Sequence, residues 1–277
     1  MNSDITDFEV KCTFGKGSDT AGPDDISAQM LDKADSELMH YLLKQLWNKA
    51  WKTGTFIKDW KQENRVVIKK PGKDDYHECS AYRTISITSH LGKRMEYITS
   101  QRLVQVLKEI GFDSDQHAYL PGRSSTQAIL TLVECIKKSL IKDQFAGAVF
   151  FDFTDAFGSI DRIHLIEKIR KDFRISGLLL EHIRSFLTER IARIMYDHGV
   201  GNWLPSIFGT SAGTRLGPLL FVMYIHDVPH CIKPKYADDL VALAVGPDLT
   251  QIEESLQHAT DGLVCWANQH GMNINAV

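Results

Sequence analysis

The sequence predicts a mixed α/β (α+β) chain, helix-rich in its first half, with a sheet and helices packed on it in its second. Three observations carry this. Apolar residues recur at helical spacing through long stretches before residue 142. The run Phe145-Ala-Gly-Ala-Val-Phe-Phe151 is continuously apolar and too short for a helix. Two further short apolar runs, at 232–236 and 240–245, flank an acidic bend. With 277 residues, 43% of them hydrophobic and 24% charged, the chain has the composition of a globular protein with a core.

Residues 15–25, with three glycines, a proline and small polar groups, read as a loop. From 26 to 51, Met30, Leu31, Ala34, Leu38, Leu42, Leu46 and Ala50 mark one helix face. Residues 65–68 read as a strand closed by the turn Pro71-Gly72. Ser89 caps a helix whose apolar face is Leu91, Met95, Ile98, Val106 and Ile110, with Gly111 as its stop. Ser124 or Ser125 opens the next, through Ile129, Leu132 and Ile136. The run 145–151 fits a strand buried on both faces. Helices follow near 160–171 and 176–189. Strands at 191–196 and 203–208 suggest a hairpin turning at His198-Gly199, and 216–227 reads as a buried helix. Strands 232–236 and 240–245 meet at Ala237-Asp238-Asp239. Asp248 caps a last helix, carrying Ile252, Leu256, Ala259, Leu263 and Trp266, which Gly271 stops.

The formal charge of −3 hides a segregation. Residues 1–39 carry 3 basic and 9 acidic groups, 40–110 carry 14 and 7, and 236–277 carry no Lys or Arg and 6 acidic groups. A polyanion would dock on 40–110, releasing counterions against its lysines and arginines; a solvated basic surface is the alternative. No apolar run is long enough to cross a bilayer and no basic region precedes an apolar one at the N-terminus, so no membrane partner is expected. Five scattered cysteines without a CxxC pair read as reduced thiols of an intracellular protein.

Carboxylates stand at the ends of apolar strands in two places: Asp152 after 145–151, and Asp238-Asp239 between 232–236 and 240–245. Such groups are tolerated in a sheet when paired, hydrogen-bonded or neutralised by a cation. If the strands are neighbours, Asp152 and Asp238 converge into a hard-oxygen site suited to Mg²⁺. Two such ions about 4 Å apart can assist an in-line phosphoryl displacement. Side chains alternate along a strand, so Asp239 contributes less directly than Asp238. Ordinary turn aspartates are the competing explanation.

Six motifs, in order, then resemble those of reverse transcriptases from non-LTR (LINE-type) retrotransposons. They are Thr20-Ala-Gly-Pro-Asp24; Val67-Ile-Lys-Lys-Pro-Gly-Lys73 with Tyr82-Arg-Thr-Ile-Ser-Ile-Thr-Ser89; Leu120-Pro-Gly-Arg-Ser-Ser-Thr126; Phe150-Phe-Asp-Phe-Thr-Asp-Ala-Phe-Gly-Ser-Ile-Asp161; the segment from Leu216 to Pro229; and Tyr236-Ala-Asp-Asp239. The resemblance covers roughly residues 15–275. It implies a right-hand polymerase fold, with fingers and an antiparallel palm sheet but no thumb. A lead-in is expected at 1–25, fingers and the fingers–palm junction at 26–142, and palm at 143–277.

The implied activity is RNA-directed DNA synthesis: nucleotidyl transfer of dNTPs to a primer 3′-OH on an RNA template, with Mg²⁺ as cofactor or Mn²⁺ in its place. Asp152, Asp238 and the carbonyl of Phe153 would hold the ions, with Asp239 in support. Asp155 and Ala156 would offer amides to the triphosphate and Phe157 a floor under the sugar. Lys70 and Arg83 would neutralise phosphate charge, Gly213 would belong to the nucleotide-site turn, and Tyr236, Lys69 and Lys73 would meet nucleic acid. A full-length element is expected to add endonuclease and thumb regions, and to act in the nucleus or cytoplasm. The chain departs from the family pattern at Ala212 (usually Gln), Thr84 (usually Pro) and Gly158 (usually Asp). The lost glutamine and the missing thumb support an alternative, a catalytically impaired remnant that keeps the fold and binds nucleic acid. A template-independent nucleotidyltransferase is the third reading, and the basic 40–110 segment argues against it.

Overall fold

The computed structural model describes residues 2–15, 19–72, 75–196 and 199–275. Its elements begin with α1 (Asp7–Lys11), α2 (Ala28–Lys33), α3 (Glu37–Lys52), β1 (Gln62–Lys69), β2 (Tyr82–Thr88) and α4 (His90–Glu109). Then come α5 (Ser125–Ile141), β3 (Phe145–Phe151), β4 (Phe153–Thr154), α6 (Arg162–Lys171) and α7 (Leu178–Leu187). Short strands β5 (Ile191–Tyr196), β6 (Gly199–Val200) and β7 (Leu204–Pro205) precede α8 (Gly217–Tyr224). The chain closes with β8 (Ile232–Tyr236), β9 (Asp239–Gly246), α9 (Leu249–Gln269) and β10 (Asn273–Ile274). Two compact units result, one from Met1–Leu107 and Arg162–Pro218, the other from Lys108–Asp161 and Leu219–Val277.

In the first unit the single helix expected over 26–51 is two. Ser36 is extended (φ −160°) and its hydroxyl accepts the Met39 N–H, so it starts α3 afresh instead of continuing α2. The buried stripe of α3 is Leu43, Trp47, Ala50 and Trp51, while Leu38, Leu42 and Leu46 lie exposed. The two tryptophans offer more apolar area than the leucines and turn the helix toward the core, where Phe56, Trp60 and Phe186 join them. The sheet runs β2-β1-β5-β6, with β7 also on β5. β1 pairs antiparallel with β2 and parallel with β5 (Gln62↔Ile191 to Val66↔Met195).

The strand expected at 203–208 shrinks to Leu204–Pro205. Pro205 has no N–H for a ladder, and the carbonyls of Ser206, Phe208 and Gly209 accept instead from the buried Arg162 guanidinium. Tyr196 pairs with Gly199 as a hairpin would require; the turn residue His198 lies outside the described residues.

The second unit holds a three-stranded antiparallel sheet, β3-β9-β8, on which α5 and α9 pack, and a small ladder between β4 and β10. β3 is an edge strand, so the expectation of burial on both faces fails: Phe145 is 50% and Phe150 69% exposed. Gly147 lies under α9, where a Cβ would press on Ile252 and Leu256. The caps read from sequence stand. Ser124 forms a capping box with Gln127, Asp248 accepts from Gln251 at the start of α9, and Gly271 ends it at φ +65°. Leu219 to Ile225 are all buried, as a core helix requires.

Candidate active site

The carboxylates converge through sheet register. β3 pairs with β9 from Phe145↔Gly246 to Phe151↔Leu240, so Asp152 follows the last pair at the end of the sheet where β9 begins with Asp239. β8 meets β9 through Tyr236↔Asp239, leaving Ala237 and Asp238 as a two-residue turn. Ala237 takes φ +55°, the sense that a tight hairpin needs at its first central position. Burial, then the negative charges of Asp239 and Asp152, raise the Asp238 carboxyl above its ordinary pKa.

Asp152 is held by Asn275, whose backbone N–H donates to the Asp152 carbonyl at 2.8 Å and whose side-chain amide donates to Oδ2 at 3.3 Å. That bond makes 152/275 a hydrogen-bonded pair. The alternation of an antiparallel ladder then turns the carbonyl of Phe153, opposite Ile274, away from β10. The ring of Phe153 is buried against Trp266.

Among the described residues no three His, Cys, Asp or Glu side chains gather around one point. Mg²⁺ asks for one or two carboxylates, taking its other oxygens from water and phosphate. Asp152 and Asp238, two carboxylates near enough for the charge of one to raise the pKa of the other, with the Phe153 carbonyl beside Asp152, fit that chemistry.

The turn after Phe153 is tight. Asp155 sits at φ +48°, and its carbonyl accepts from both the backbone and the hydroxyl of Ser159, each at 3.0 Å. A Cβ at Gly158 would meet only the carboxylate of exposed Asp155, a side chain free to turn aside, so the turn itself does not require glycine there. Ala156 is buried and Phe157 half-buried. Phe157 stacks on Phe221 and meets Tyr119 edge-on at 6.3 Å. Tyr119 stands within electrostatic reach of the carboxylates: burial, then Asp238, Tyr236 and Asp239, raise its hydroxyl pKa. Tyr236 is half-buried at the foot of the hairpin.

Sequence reasoning missed Tyr119, Asn275 and Gln116, all of which bear on this turn and strand end. None carries a sequence signal of its own. Their partners lie more than a hundred residues away for Gln116 and Asn275, and the ring pairing of Tyr119 follows from the fold.

Lys69, Lys70, Arg83 and Gly213 belong to the first unit. Arg83 and Lys69 are exposed on paired strands, and the Lys69 ammonium lies 4.9 Å over the Tyr76 ring. The backbone of Lys70 is tied to both sides, its N–H donating to Ala81 and its carbonyl accepting from the Tyr76 hydroxyl at 2.8 Å. Lys73 lies outside the described residues. Gly213 takes φ +112° against β2, where a Cβ would strike the Ser86 carbonyl, and Ser86 donates its N–H to Ala212 at 2.7 Å.

Buried charge fixes the rest of that turn. Glu63, wholly buried, accepts from Arg190, Ser86 and Ser211. Burial alone would raise its pKa, but Arg190 and Ser211 outweigh this and hold it low. Glu96 accepts the N–H groups of Arg215 and Leu216 just before α8.

The family model described as reverse transcriptase (RNA-dependent DNA polymerase) matches residues 68–277. The probable RNA-directed DNA polymerase from transposon BS of Drosophila melanogaster is 26% identical over 249 residues, 84% of this chain and 27% of its own length. The RNA-directed DNA polymerase from mobile element jockey of the same species is 25% identical over 248 residues, 84% of this chain and 26% of its own. The chain thus spans about a quarter of the length of these curated relatives. Two solved structures share its fold. Apo telomerase from Candida tropicalis, truncated from its C-terminal domain, matches 85% of this chain and 54% of that one, with TM-score 0.54 and 12% identity. Telomerase from the same organism with a TWJ fragment of telomeric RNA matches 90% and 44%, with TM-score 0.55 and 11% identity.

Proposed function

This chain belongs to the reverse transcriptase (RNA-dependent DNA polymerase) family and has the right-hand polymerase fold, and on that premise we propose that it transfers dNTPs to a primer 3′-OH on an RNA template. The resemblance to non-LTR retrotransposon enzymes is borne out by its relatives. The observation that carries the proposal is the pairing of β3 with β9, which brings Asp152 and Asp238 to one end of one sheet.

Asp152, Asp238 and the Phe153 carbonyl would hold Mg²⁺, or Mn²⁺ in its place, with Asp239 in support. When bound, such an ion supplies Lewis-acid chemistry, acidifying the attacking hydroxyl and offsetting charge on the leaving oxygen. The remaining work falls to the protein. Amides of Asp155 and Ala156 would orient the triphosphate, and the Phe157 ring, braced by Phe221, would underlie the sugar and exclude a 2′-OH. Lys70 and Arg83 are assigned to phosphate charge, where arginine's fork suits phosphate oxygens. Gly213 is assigned to the nucleotide, and Tyr236, Lys69 and Lys73 to primer or template. An intracellular setting, nucleus or cytoplasm, goes with this reading.

Ala212 favours a second reading. Its methyl group makes no hydrogen bond where the family pattern has an amide, so the chain would bind primer–template without turnover. Incorporation of dTTP on poly(rA)/oligo(dT) with Mg²⁺ separates the readings. Template-dependent incorporation is the expected result. Tight binding of the duplex with no incorporation favours the second reading, and incorporation without template contradicts both.

A further inference from the structure

Gln116 stands outside every role assigned above, yet it is only 1% exposed and lies against the acidic hairpin. Residues 115–117 meet β8 through one isolated parallel bridge, Gln116↔Lys235. Lys235 donates its N–H to the Asp115 carbonyl at 2.9 Å, and His117 donates to the Lys235 carbonyl at 2.8 Å. Buried Lys235 also pairs with Asp113, and the Arg123 guanidinium binds the carbonyls of Phe112, Asp113 and Gln116, so the segment is fixed from both sides.

From this support the Gln116 side-chain carbonyl accepts two backbone N–H groups, Ala118 at 2.9 Å and Ala237 at 3.1 Å. Ala237 is 2% exposed and left-handed, a strained conformation for a residue with a Cβ. Its N–H would otherwise be buried without a partner. The next residue is Asp238.

We infer that Gln116 is a positioning residue, holding the Ala237 turn in its left-handed form and so aiming the Asp238 carboxylate at the metal site. The inference rests on the reading of Asp152 and Asp238 as ligands. A group that orients a metal ligand typically changes affinity by 10–100-fold when lost.

The test uses the whole chain and Mn²⁺ alone, with binding followed by electron paramagnetic resonance. Gln116→Met keeps length and removes the acceptor, and Mn²⁺ binding is expected to weaken by about tenfold or more. Gln116→Glu keeps an acceptor oxygen and is expected to restore most of that affinity. In primer extension the Met variant should need more Mg²⁺ for half-maximal rate while the KM for dTTP stays put, a split that general destabilisation would not give.

Unchanged Mn²⁺ affinity in Gln116→Met, with binding lost in Asp238→Asn, overturns the positioning role alone. Unchanged affinity in Asp238→Asn overturns the ligand reading and this inference with it. Should the Met variant fail to fold, hydrogen exchange on the unsubstituted chain decides. The Ala237 amide is expected to be protected, and exchange at the rate of an open loop contradicts the contact.

Discussion

Phe157 stacks on Phe221, ring centroids 4.6 Å apart and planes 26° from parallel. Phe221 is fully buried in α8, so the half-buried Phe157 ring is braced against the core on one face. If that ring excludes a 2′-OH, Phe157→Val should raise ribonucleotide relative to deoxynucleotide incorporation by about tenfold, a change of ~1.4 kcal/mol in discrimination. An unchanged ratio in competition assays removes the sugar-gate role.

Glu63 and Arg190 form a buried pair at 2.7 Å, and Glu63 also gathers Ser86 and Ser211. Glu63→Ala strands the Arg190 guanidinium away from water, so a loss of about 3–5 kcal/mol is expected in urea unfolding. Glu63→Gln keeps an acceptor and should lose less. Equal stability of all three chains would show that the pair does not hold the first unit together.

Gly213→Ala should also cost stability, by about 1–3 kcal/mol, because φ +112° is strained for alanine and the new methyl meets the Ser86 carbonyl. Thermal unfolding measures it. Tolerance without loss would mean that the turn can leave β2.

Much of this architecture follows from short-range signals. The acidic hairpin is legible because a polar bend divides two apolar runs, and Asp248, Ser124 and Gly271 mark helix ends by chemistry local to the end. Signals that depend on distant partners are not legible. Ser36 looks like any serine in a helical pattern until Trp47 and Trp51 choose which face is buried. The apolar run at 145–151 cannot say whether it is central or edge, since that depends on what flanks it. Glu63 as a hub needs Arg190 and Ser211, and no periodicity announces the parallel pairing of β1 with β5. In the site, Asp152 and Asp238 were readable as strand-end carboxylates, whereas Asn275 and Gln116 act through contacts that only the folded chain creates.

His182 is buried between the rings of Trp51 and Phe56, and burial lowers its pKa to about 3. The unfolded chain takes up this proton below about pH 6.5 while the folded one does not. Its neutral form therefore supports folding above pH 6.5, and stability falls as pH drops toward 3, by up to about 1.4 kcal/mol per pH unit. His182→Phe removes this dependence. Between pH 7 and 4.5 the variant's urea midpoint should fall less than that of the unsubstituted chain; equal falls would contradict a buried neutral imidazole.

The proposed site has Asp152 and Asp238 acting together on its divalent cations during nucleotidyl transfer. The most direct measurement of this is the single-turnover rate of dTTP addition on poly(rA)/oligo(dT) across a Mg²⁺ titration, for the unsubstituted chain, Asp152→Asn, Asp238→Asn and the double variant. Each single variant is expected to lose nearly all activity, with the double variant no worse than either, as groups working as a unit behave. Full activity in either single variant, in folded protein, would contradict the account.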